Sequence, residues 1–222
     1  MLSLGIAHMR SRILALVLVS ACHSSARSTP THGAIGFDGS ELRGWLAEST
    51  GGSGPVATWQ VRADSAAVSP PNVLSLLATN HSSQDRFNLY WSRDARFEDG
   101  RIALAVRADQ GEIDRGGGPI WRVQDANNYY VCRINPLESN YRVYVVENGV
   151  RRQLASSSSA ISDGWHRIEV EHVGDGITCW LDGKKLLEAR DATISAPGGV
   201  GVWTKADART SFDDLVVTTE HE

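Results

Sequence analysis

From Phe37 onward the chain is built of short β-branched and aromatic runs, and no segment carries a helical apolar period. The runs are TWQVR (58–62), VLSLLA (73–78), FNLYW (87–91), RIALAVRA (101–108), PIWRV (119–123), YYVCRIN (129–135), YRVYVVE (141–147), RRQLA (151–155), WHRIEVEHV (165–173), ITCWLD (177–182), KKLLEAR (184–190), VGVWTK (200–205) and SFDDLVV (211–217). Turn residues stand between them: Glu98-Asp99-Gly100, Asn127-Asn128, Asn148-Gly149, Asp163-Gly164, Asp182-Gly183 and Pro197-Gly198-Gly199. Asn-Gly and Asp-Gly pairs reverse a chain tightly enough to join antiparallel neighbours. Strands that are apolar on one face must bury it, and two sheets packed face to face do so. The expectation is an all-β fold, a two-sheet antiparallel jelly-roll sandwich, with one domain over residues 37–219.

The chain before that domain reads differently. Arg10 and Arg12 precede the run ILALVLV, which is too short to span a bilayer and suits the apolar part of a signal peptide. Val19-Ser20-Ala21-Cys22 follows and resembles a bacterial lipobox, which implies a signal peptide over 1–21 and lipidation of Cys22. Residues 22–36 are rich in Ser, Thr, Gly and Pro and are expected to be a flexible tether. The chain is then an exported bacterial lipoprotein of the cell envelope, at the outer membrane or facing the periplasm. His23, where enterobacterial inner-membrane sorting has an aspartate, favours the outer membrane. Removal of 1–21 takes away two arginines and no acid, moving the net charge from −4 to −6. A mildly acidic chain gives no reason to expect nucleic acid or an anionic membrane surface as partner, so the expected membrane contact is the lipid anchor alone. Cys132 and Cys179 sit among apolar neighbours; buried free thiols are expected, with a disulfide the alternative.

Strand parity places Tyr130, Cys132 and Ile134 on one face of their run, and Tyr129, Val131, Arg133 and Asn135 on the other. The same rule sets Trp121 and Val123 opposite Arg122, and Tyr141, Val143 and Val145 opposite Arg142 and Tyr144. With the apolar faces inward, the outward surface reads Arg122, Arg133, Asn135, Arg142 and Tyr144, and Arg122 falls beside or diagonal to Arg133. Like charges opposed on a sheet repel by a few tenths of a kcal/mol or more. Two readings stay open: solvated arginines paired with acids such as Glu138 or Glu147, or a polar groove whose guanidinium forks and aromatic face meet sugar oxygens. In VGVWTKAD, Val200 and Val202 suit the core and leave Trp203 and Lys205 outward, with Asp207 beyond. Trp203 is either a sugar platform or a tryptophan covered by a loop. His166 and His172 share the Ile168/Val170 face as core-edge residues. No zinc-type ligand spacing, phosphate loop or Ser-His-Asp signature is present, so no metal or other cofactor is expected.

Taken together, Phe37-Asp38-Gly39 with Gly44-Trp45, Gly116–Arg122 followed by Asp125-Ala126-Asn127-Asn128-Tyr129-Tyr130, Arg133-Ile134-Asn135-Pro136-Leu137-Glu138, Gly164-Trp165-His166, Leu181-Asp182-Gly183-Lys184, Gly201–Asp207 and Phe212-Asp213-Asp214-Leu215 resemble the 3-keto-disaccharide hydrolase domain family. That family lies in the concanavalin A-like lectin/glucanase superfamily, with laminin-G-like architecture. The resemblance implies a carbohydrate ligand and a hydrolase or lyase that cleaves 3-keto-glycosides or related disaccharides. A base removes the C2 proton, the C1 substituent leaves, and water adds. Face parity, not a matched catalytic motif, then offers Arg122, Arg133 and Lys205 as the electrostatic groups and Glu138 or Asp207 as the base. The alternative is a non-catalytic lectin-like carbohydrate-binding or interaction module. Glu112-Ile113-Asp114 begins like the Glu-x-Asp-x-x-Glu strand of laminarinase-type enzymes, but Arg115-Gly116-Gly117 follows and the second glutamate is missing. The paired carboxyls of a retaining glycosidase are therefore not expected.

Overall fold

The computed structural model describes residues 31–37 and 42–219. The strands are β1 (Thr31–Ile35), β2 (Trp45–Thr50), β3 (Thr58–Ala63), β4 (Asn72–Ala78), β5 (Phe87–Phe97), β6 (Gly100–Gln110), β7 (Gly118–Asp125), β8 (Asn128–Asn135), β9 (Asn140–Glu147), β10 (Val150–Ser158), β11 (Trp165–Val173), β12 (Gly176–Leu181), β13 (Lys184–Arg190), β14 (Gly198–Lys205) and β15 (Arg209–Thr219). No helix occurs among the described residues. One sheet runs β13-β12-β11-β6-β15-β4-β3, with β1 also on β15; the other runs β10-β9-β8-β7-β14-β5-β2. Every pairing is antiparallel. The chain is a two-sheet jelly roll, as the turn chemistry requires.

Each of the thirteen sequence runs lies in a strand, from β3 to β15, apart from Asp182, which falls one residue beyond β12, while β1 and β2 are additions. The expected tether is corrected at residues 31–35, where β1 pairs with β15 from Thr31 opposite Thr219 to Ile35 opposite Leu215. A polar, glycine-containing segment becomes a strand here because an edge of β15 supplies its backbone partners. The signal peptide and Cys22 lie outside the described residues.

The main core lies between the sheets, where Trp121, Tyr130, Cys132, Ile134, Tyr141, Val143, Val145, Val200 and Val202 meet Leu104, Val106, Ile168, Val170, Cys179 and Phe212. Cys132 and Cys179 are buried free thiols within it. His166 and His172 are buried on that same face.

The outward face of the seven-stranded sheet is not open. Phe87, Leu89, Trp91, Ile120, Tyr129, Val131, Tyr144, Val146 and Trp203 form a second apolar cluster there. Curvature makes this possible. β2 and β8 are four strand positions apart, about 19 Å on a flat sheet. Yet the Thr50 and Tyr129 hydroxyls lie 2.8 Å apart. The sheet curls into a trough, and its own side chains fill one end.

Candidate functional site

The polar end of the trough is built on the β8–β9 hairpin. Its turn is tied by the Asn135 side chain, whose Oδ1 accepts the backbone N–H groups of Leu137 at 2.9 Å and Glu138 at 3.2 Å. The ladder then sets Arg133 directly opposite Arg142. Glu138 Oε2 sits between them, accepting from Arg133 Nη2 at 3.1 Å and Arg142 Nη1 at 3.2 Å. Asn140 Nδ2 donates to the same oxygen at 2.8 Å. Those donors, Asn140 foremost, hold the Glu138 carboxyl below its ordinary range.

Facing the hairpin is Asp114, at the end of a turn fastened from below. The Asp207 carboxylate accepts the backbone N–H of Glu112 at 2.8 Å, of Ile113 at 3.1 Å and of Asp114 at 2.9 Å. Burial pushes Asp207 upward, but the backbone donors outweigh it and its pKa is lowered. Asp114 is only 2% exposed. Its Oδ1 accepts from Asn135 Nδ2 at 3.1 Å, and its Oδ2 lies 3.9 Å from Lys205 Nζ. Burial raises its pKa, against the pull of Arg133 and Lys205. A carboxylate whose proton affinity is raised by burial is a stronger base than an exposed one.

Two guanidinium groups complete the site. Arg133 extends along the strand face beside Gly118, where an added Cβ would stand 1.9 Å from the Cys132 carbonyl oxygen. Its Nε and Nη1 are buried without a hydrogen-bond partner. Arg151, from β10, lies 4.4 Å from the ring centre of Tyr144, 4.9 Å from Phe87 and 5.8 Å from Trp203. Its Nη1 is likewise buried and unpaired. Desolvation against these rings lowers the Arg151 pKa. Arg133 also lies 5.9 Å from the Tyr144 ring, so the two cations flank one aromatic.

A family model for the 3-keto-alpha-glucoside-1,2-lyase-like domain matches residues 36–218. The chain belongs to that family. No curated protein sequence matches it. Among solved structures, the carbohydrate-binding module CBM66 from Bacillus subtilis is similar, with a TM-score of 0.60 and 20% identity over 83% of this chain and 99% of that one. A β-1,3-1,4-glucanase (lichenase) from a mouse hindgut metagenome follows at 0.57 and 14%, over 86% and 100% of the two chains. The Bacillus licheniformis β-glucanase gives 0.55 and 12%, over 89% and 100%. These likenesses show the shared concanavalin A-like jelly-roll fold.

Within this member of the lyase-like family, the structure brings together Arg133, Asn135, Glu138, Arg142, Tyr144 and Lys205. It removes Arg122. The β7–β8 register shifts between Trp121 and Asp125, and Arg122 takes φ +46°. Gly198 on β14 admits this bulge, since a Cβ there would stand 2.3 Å from the Arg122 carbonyl carbon. Arg122 Nε donates to Glu98 O at 2.9 Å, Nη1 to Ile194 O at 2.9 Å, and Nη2 to Asp99 Oδ1 at 2.8 Å and Gly174 O at 3.1 Å. It is a clamp between loops. The same bulge sends Val123 into the outer cluster and away from Trp121.

Trp203 is corrected as well. It faces outward from the sandwich as parity requires, but the curled sheet buries it completely, with Nε1 donating to the Tyr129 hydroxyl at 3.1 Å. No ligand can stack on it. Asp207, spent on three backbone donors, is a fastener and not a base. Asp114 and Arg151 are the residues that sequence reasoning missed. Asp114 lies in the Glu112-Ile113-Asp114 segment set aside there for want of a second glutamate, while parity alone puts Arg151 on the face of its β9 partner Val146.

Proposed function

We propose that this chain cleaves 3-keto-glycosides at the polar end of the trough, with Asp114 as the base. A C3 ketone acidifies the C2 proton. The Asp114 carboxylate takes that proton, and the electron pair passes through an enolate on the C3 oxygen into a C1–C2 double bond as the C1–O bond breaks. The unpaired N–H groups of Arg133 and Arg151 suit the developing oxyanion. Lys205 is the cation available to protonate the departing oxygen. Water then adds to the unsaturated sugar. The observation that carries this reading is Asp114 itself, a buried carboxyl of raised pKa beside cations in a member of a lyase-like family.

The test is incubation with a 3-keto-glucoside in deuterated water, followed by NMR. Wild-type protein releases the aglycone and places deuterium at C2. Asp114→Asn lowers turnover by about 10³-fold, with an unchanged melting temperature. Undiminished turnover in that variant removes Asp114 from the reaction.

A second reading, a non-catalytic carbohydrate-binding module, is favoured by one observation: Asp114 is 2% exposed and already bonded to Asn135. Saturable sugar binding with no release of aglycone would establish it.

The reading also includes export and a lipid anchor at Cys22, motivated by the basic pair, apolar run and lipobox-like Val19–Cys22. Metabolic labelling with a radioactive fatty acid should mark the wild-type chain and not Cys22→Ala. Equal labelling of both would remove the anchor.

A further inference from the structure

We infer that the ligand of the trough carries a permanent negative charge, placing it among the acidic saccharides, such as uronates, rather than the neutral disaccharides. The inference rests on the saccharide reading above and narrows it. Arg133, Arg142, Arg151 and Lys205 converge on two carboxylates, Asp114 and Glu138, which leaves a surplus of two positive charges. Within the described residues, Glu138 is the one acid in ion-pair contact with Arg133, and Arg151 has none.

Burial makes this surplus unusual. A guanidinium in water satisfies its donors at no penalty, whereas one taken out of water needs an acceptor for each N–H. Arg133 is 1% exposed and leaves Nε and Nη1 unpaired; Arg151 is half-buried, with its guanidinium over the Phe87 and Tyr144 rings and a buried Nη1 left unpaired. An enolate supplies negative charge only while the reaction proceeds, and only one unit. A carboxylate resident on the ligand supplies it in the bound state, and its planar pair of oxygens matches a guanidinium fork. Glu138, Arg142 and Lys205 are part-exposed, so the cluster meets solvent at these side chains.

The experiment is calorimetric titration of the full chain, at low salt, with methyl glucuronide and with methyl glucoside. Neither carries a 3-keto group, so binding is read independently of the elimination chemistry. The glucuronide should bind about thirtyfold more tightly, as a charged hydrogen-bonding group allows. Arg151→Gln should reduce that preference to within about threefold. Arg151→Lys, which keeps the charge and loses the fork, should retain part of it. Equal affinity of the wild type for the two sugars overturns the inference and leaves the saccharide reading standing. If neither sugar binds, both fall. If inorganic phosphate alone binds as tightly as the glucuronide, the site is a simple anion site and the acidic-saccharide inference is overturned.

Discussion

Arg122 and Arg133 sit on neighbouring strands, each 1% exposed, and differ in everything else. Arg122 spends its donors on three backbone carbonyls and Asp99, at the end of the sandwich where β7 bulges. Arg133 has one nitrogen engaged, Nη2, and two with nothing to bond. Burial alone therefore does not separate a structural arginine from a functional one. Satisfaction distinguishes these two: the Arg122 clamp has its acceptors built in, while Arg133 keeps donors free for the ligand proposed above.

The comparison breaks most sharply on removal of each side chain. Arg122→Met removes four charge-assisted hydrogen bonds, the one to Ile194 O fully buried, and should lower unfolding free energy by about 3–5 kcal/mol, measured by urea denaturation at pH 7. A loss below ~1 kcal/mol would show that the clamp is dispensable.

The clamp's neighbour gives a test on pH. His172 accepts a hydrogen bond from Trp121 Nε1 at 2.9 Å. Burial, reinforced by the Arg122 charge and opposed by Asp99 and Asp191, depresses its pKa to about 4. The unfolded chain takes up a proton near pH 6.5 and the folded chain refuses it until about pH 4, so stability is full above 6.5 and falls as pH drops through that window. The total is about 3 kcal/mol, of which about 2 kcal/mol is lost by pH 5. His172→Gln should flatten the slope between pH 7 and 5. In Arg122→Met the loss of a nearby positive charge should narrow the window from its acid side. An unaltered slope in His172→Gln would place the proton uptake elsewhere.

The smallest effect belongs to the other arginine. Arg133→Met discards a buried, half-satisfied charge and should change stability by less than ~1 kcal/mol, in either direction. Turnover of a 3-keto-glycoside should meanwhile fall by about 10²-fold. A stability loss comparable to that of Arg122→Met would erase the distinction between the two.

These contrasts also mark how far the sequence could be read. Alternation identified β3 to β15, and it gave the inward faces of β8 and β9 because the ladder between those two strands runs in register without interruption. The cluster of Arg133, Asn135, Arg142 and Tyr144 followed from that regularity. Arg122 did not, since a non-glycine residue at φ +46° is disfavoured locally and is held there by the shape of the neighbouring Gly198 strand. Trp203 was placed on the correct face with the wrong consequence. Parity states which side of a sheet a residue takes, and says nothing about whether the sheet curls over that side.

Asp114 escaped for a different reason. Its turn takes its shape from Asp207, which stands 93 residues away and grips main-chain amides only. The side chains of Glu112 and Ile113 have no part in that grip, so those two positions are free to vary while the carboxyl keeps its place. The address of the proposed base is thus written between β14 and β15, and a loop grafted without that distant anchor would deliver the right residue to the wrong point in space.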